Sequence, residues 1–97
     1  MNDTSFCLKA LQDRVAKAKE SAAAVREFLT DQPTGDFLLR RPMALVREVE
    51  ASLSGLRPEG EDTECQALER KMQLAEAEIT RVETLAYDYG PNLKLVK

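Results

Sequence analysis

The chain contains no histidine and no tryptophan. Without histidine there is no Ser-His-Asp or Cys-His nucleophile and no imidazole for a metal, so only carboxylate or lysine chemistry is left to a catalytic reading. The two cysteines, Cys7 and Cys65, stand far apart with no CxxC, a pattern that offers neither zinc-ribbon spacing nor a thioredoxin-like motif. Were the first and last helical stretches to pack in parallel, the two would lie at the same end of the molecule, where packed, reduced thiols are the expectation for a cytosolic protein and a disulfide is the alternative. Aromatic residues make up 5% of the chain, too few to line a typical ligand pocket. No glycine-rich phosphate loop is present,. No stretch approaches the roughly 18 apolar residues that a membrane span requires, and Met1 to Ser5 does not read as a basic-then-apolar leader,. The sequence therefore predicts a soluble intracellular protein, of cytoplasm or nucleus and a reducing compartment, with no cofactor, no metal and no membrane contact. A bare Met1 before so compact a helical pattern is also compatible with a start placed on a fragment of something larger.

What is present points to helix. The 97 residues suit a single domain, near the size at which a partner often completes the core. Apolar residues reach an ordinary 43%, and charged residues reach 32%, above the usual quarter.

The apolar residues are not scattered. Cys65, Leu68, Met72, Ala75, Ile79, Val82, Ala86 and Tyr89 alternate at spacings of three and four, as do Leu8, Leu11, Val15, Ala18, Ala22, Val25 and Leu29 near the start. That is the a/d seam of a helix facing another helix. A shorter seam joins Val46, Val49, Leu53 and Leu56, extended backwards by Leu39.

Punctuation divides these seams into three predicted helices. Helix 1 is expected over about residues 4–30, capped among Asn2, Asp3, Thr4 and Ser5,. Asp31 to Asp36 contains Pro33 and Gly35 and reads as the first corner,. Pro42 would lie deep inside any helix begun earlier, so helix 2 is expected over about 42–54 with Pro42 at its first position,. Gly55 and Pro58 close it,. Thr63 with Gln66 fits a capping box for helix 3,, expected over about 63–89 and stopped by Gly90 and Pro91. Residues 1–91 then form one helical-bundle or coiled-coil domain and 92–97 a tail.

The predicted fold is all-α, an up-down-up antiparallel bundle of two long helices and one shorter. Helices 1 and 3 would each span about 40 Å and helix 2 little more than half that. Such a short helix 2 leaves part of both long seams uncovered, which argues for a homo-oligomer or a heteromeric helical complex.

Charge is uneven. Residues 1–57 carry a net +1, residues 58–89 a net −6, and the remainder +2, for a total of −3. An acidic third helix argues against nucleic acid as the main partner. Phe37, Leu38, Arg40, Arg41, Leu74, Leu85 and Tyr87 are candidates for a partner surface. Carboxylate or lysine catalysis would have to draw on Arg14, Lys17, Arg47, Glu48, Arg70, Lys71 and Glu78, all placed where a solvated helix face puts them anyway,. The leading expectation is a non-enzymatic scaffold or adaptor subunit that assembles with proteins through its seams. The alternatives are a small acidic secretion or assembly chaperone, and a microtubule-associated module using Lys9, Arg14, Lys17, Lys19 and Arg26.

Overall fold

The structure, a computed structural model, describes residues 4–55 and 62–94. It is all-helical among these residues, with α1 at Thr4–Phe28, α2 at Gln32–Gly55 and α3 at Asp62–Tyr89. Each helix packs against both others. The cap expected among Asn2 to Ser5, the stop at Pro58 and the Thr63 side chain of the capping box lie outside the described residues or side chains.

The spacing explains which faces are inside. Leu11, Val15, Ala18, Ala22, Val25 and Leu29 from α1 and its end meet Val46, Val49 and Leu53 of α2 and Leu68, Met72, Ala75, Ile79, Val82 and Ala86 of α3, all buried in one core. Residues three and four apart share a helix face, so each helix brings a continuous apolar stripe to the centre. Leu8 is half-buried at the edge of that core. Alanines at 18, 22, 75 and 86 let the backbones approach there.

Helix α2 corrects the sequence reading. The segment Asp31–Asp36 is not a corner but the cap and first turn of a 24-residue helix that runs through Pro42. Asp31 is the N-cap: its Oδ2 accepts the Thr34 N–H at 3.2 Å and also the Thr34 hydroxyl. This satisfies a donor with no intrahelical partner and lets Thr34 be buried,. Pro33 falls in the first turn, where its missing N–H costs nothing. Gly35 is helical, its N–H donating to the Asp31 carbonyl at 3.2 Å.

Pro42 sits inside the helix with its ring fully buried. An interior proline costs about 3 kcal/mol relative to alanine. Burial of Leu39, Met43 and Val46 on the same face offsets that, at roughly 1.5–3 kcal/mol per large apolar side chain. Local propensity was outweighed by packing. At about 1.5 Å per residue α2 reaches about 36 Å, close to the length of its neighbours, so a short helix 2 no longer argues for a partner.

The ends of the helices are tied together. The Thr30 N–H donates to the Pro91 carbonyl at 2.8 Å, and the Thr30 hydroxyl donates to the same oxygen at 2.9 Å. Gly90 adopts φ +91°, the left-handed conformation that ends α3 without a side-chain penalty. Leu93 then folds back onto the core, its N–H bonded to the Gly90 carbonyl at 3.2 Å.

At the other end Cys7 is joined to Cys65 in a disulfide with a Cα–Cα distance of 6.6 Å. The disulfide is the alternative to the expected pair of packed, reduced thiols. The pairing of α1 with α3 places the two residues opposite one another, within the 4.4–6.8 Å that a disulfide spans. The described residues occupy a rod of 49 × 19 × 16 Å, and no helix among them is long and apolar enough to cross a membrane.

Candidate functional site

Two ends of the rod carry chemistry that the core does not explain. The first is where the end of α1, the start of α2 and the end of α3 converge. Phe28 of α1 meets Tyr87 of α3 edge to face, ring centroids 4.8 Å apart at 72°, an arrangement that aligns ring edge with ring face. Arg26 Nε lies 3.3 Å from Asp36 Oδ1. Phe37, Tyr87 and Tyr89 stay exposed at this end, Phe37 by 61% and Tyr89 by 71%.

The candidate partner residues do not form one patch. Phe37, Arg40, Leu74 and Tyr87 are exposed, while Leu38 and Leu85 are half-buried, Leu38 against the core. Arg41 is exposed but bridges to Glu78 of α3 at 3.4 Å. Leu74 lies near the middle of α3, away from the aromatic end. The seam residues proposed as an interface are the inside of this one chain, Leu8 at its edge.

The second end holds the sulfurs. Glu69 follows Cys65 by four residues and so shares its face of α3; its Oε1 lies 3.3 Å from Cys7 Sγ. A disulfide sulfur carries no proton, so in the bonded state this is a contact, and only in the thiol state does Sγ–H donate to the carboxylate. Cys65 is buried, and Cys7 and Glu69 are half-buried. Glu69 was not among the residues singled out from sequence. The signal was there in the i, i+4 spacing to Cys65, but its meaning depended on which residue of α1 faced it.

Farther along the same face Arg14 forms a two-pronged pair with Glu76, Nε to Oε2 at 3.0 Å and Nη2 to Oε1 at 2.6 Å. The hydrogen bond to Glu76 raises the Arg14 pKa; burial opposes this, and the charges of Glu76 and Glu69 add to it, so the guanidinium is charged throughout. The other charged residues singled out from sequence lie on the helix surfaces. Lys71 pairs with Glu48 at 3.5 Å, and Lys17, Arg47 and Arg70 are exposed on three different helices. Lys19 bridges to Glu50 at 2.5 Å across the groove between α1 and α2, which is lined by Gln12, Ala16 and Ser54.

No family model matches the chain, and neither a curated protein nor a solved structure matches it.

Proposed function

We propose that the chain is a non-enzymatic helical scaffold or adaptor subunit, an up-down-up bundle whose coiled-coil-like seams close its own core and whose aromatic end docks a protein partner. The supporting observation is where the aromatics lie. Among the described residues the fully buried core is aliphatic, with methionine and cysteine, and Phe28 packs partly buried against it, while Phe37, Tyr87 and Tyr89 are exposed. Burying a phenylalanine is worth roughly 1.5–3 kcal/mol, and tyrosine and phenylalanine are enriched at the centre of protein interfaces. The order of contacts favours the topology: Cys7 with Cys65, Arg14 with Glu76 and Thr30 with Pro91 run in one direction along α1 and α3. Lys19 with Glu50 and Arg26 with Asp36 run oppositely along α1 and α2.

A heteromeric partner fits better than pairing through the seams, because the seam residues are already occupied. Microtubule binding through α1 is less favoured, since Arg14, Lys19 and Arg26 are each engaged by a carboxylate. The test is photo-crosslinking from positions 37 and 89 in the native cell extract, then calorimetric titration of the purified partner. Phe37→Ala with Tyr89→Ala should weaken binding about tenfold or more, the scale of a hot spot. An unchanged affinity removes the aromatic end from the interface.

A further inference from the structure

We propose that Cys7, Cys65 and Glu69 form a zinc(II) site in the reduced protein, and that the Cys7–Cys65 disulfide is the metal-free, oxidised state of the same site. One thiolate comes from α1, and the second thiolate and the carboxylate come from α3, four residues apart on one face. The three donor atoms lie within 4.8 Å of one another.

The geometry matches a tetrahedral centre. With Zn–S near 2.3 Å and Zn–O near 2.0 Å, the edges of such a tetrahedron are about 3.8 Å between sulfurs and about 3.5 Å between sulfur and oxygen. Glu69 Oε1 already lies 3.3 Å from Cys7 Sγ. The sulfurs must part by about 1.7 Å from disulfide bonding distance to reach their edge. Rotation about the Cα–Cβ bonds supplies this, with the Cα atoms 6.6 Å apart.

Donor type selects the metal. Thiolates favour zinc over magnesium or calcium, which require oxygen ligands. Cys65 is buried, while Cys7 and Glu69 both keep contact with solvent, so a water is the fourth ligand of the proposed site,. Two thiolates and a carboxylate around Zn²⁺ leave one net negative charge, which a water in the fourth position leaves unchanged.

Oxidation and metal binding exclude each other, because both use the same sulfur electrons. A low-molecular-weight disulfide accepts two electrons from the two thiolates. The Cys7–Cys65 bond forms, the S–S bond of the oxidant breaks, its sulfurs take up two protons and leave as two thiols, and Zn²⁺ is released. A dithiol reductant reverses the step.

The test uses the full chain, reduced under anaerobic conditions and titrated with Co²⁺ as an optical probe, then with Zn²⁺. One Co²⁺ per chain should bind with the strong ligand-field bands of a tetrahedral site and a thiolate charge-transfer band, and Zn²⁺ should displace it and raise the melting temperature. Glu69→Gln, which keeps size and helix propensity, should weaken Zn²⁺ binding about tenfold or more, as loss of a ligand does. Protein oxidised to the disulfide should bind neither ion. Absence of a tetrahedral cobalt spectrum in reduced protein whose circular dichroism is that of the folded helix bundle overturns the proposal. So does an undiminished affinity in Glu69→Gln, or a stoichiometry of one metal per two chains.

Discussion

Replacing Gly35 by alanine should stabilise the protein, and the sign of the change tests the path of the backbone between α1 and α2. Gly35 lies in the first full turn of α2, its N–H bonded to Asp31 O, and glycine inside a helix costs about 0.8–1.0 kcal/mol relative to alanine. Space decides whether that gain is realised. A Cβ at residue 35 would meet Leu29 Cδ1 at 3.7 Å, Arg26 Cγ at 3.9 Å and Arg26 Cα at 4.0 Å, all ordinary van der Waals contacts, so overpacking does not oppose it. The new methyl is also buried, which adds a fraction of the ~0.8 kcal/mol that a fully buried methylene contributes. The expected gain is about 1 kcal/mol, and a domain of this size responds with a rise of about 4–8 °C in melting temperature. Urea unfolding followed by far-UV circular dichroism should show a higher midpoint and an unchanged slope. Were residues 31–36 a corner with Gly35 in the left-handed region, alanine would instead cost roughly 1–2 kcal/mol. A lowered midpoint therefore refutes the helical assignment of this segment.

Gly90→Ala is the opposite case: at φ +91° with open space around it, it should lose roughly 1–2 kcal/mol from backbone conformation alone, read as a lower midpoint in the same assay. Asp31→Ala removes the acceptor shared by the Thr34 amide and hydroxyl and should cost about 1–2 kcal/mol by urea unfolding, with Thr34 left buried beside it. Met72→Ala empties a position with no solvent exposure and should cost about 2–5 kcal/mol, the spread depending on how far the neighbours collapse. Reducing the Cys7–Cys65 bond with metal absent frees a loop of 58 residues' separation. Chain entropy sets its contribution at about 4 kcal/mol, so calorimetry of oxidised and chelator-treated reduced protein should show the reduced form melting earlier; equal melting temperatures would mean that the bond does not constrain the unfolded chain.

The all-helical character was legible because every long apolar stripe repeats at helical spacing and the chain lacks the alternating, β-branched runs that strands require. The buried positions were legible for the same reason: Leu11, Val25, Met72 and Ala75 mark the inside of their helices by spacing alone, and all four are buried. The course of α2 was not legible, because local backbone signals there compete with side-chain and core contacts made elsewhere. Pro33, Gly35 and Pro42 all argue for a break when judged by their own backbones. The Asp31 side chain, acting over three residues, makes the first two compatible with a helix start, and the core contacts of Leu39, Pro42 and Met43 outweigh the third.

The sequence by itself determined the number of helices, their buried faces and the surplus of negative charge on α3, since each follows from residues within a few positions of one another. Tertiary structure decided that α2 runs unbroken past Pro42, because burial energy is a property of the assembled core. It also decided that Leu38 lies against the core while Phe37, Tyr87 and Tyr89 stay exposed, since exposure depends on which neighbours cover a residue. Only the pairing of α1 with α3 could bring Cys7 to Cys65 and Glu69: reactivity between sulfurs depends on distances of a few ångströms, and sequence separation carries no such distance until the helices pack.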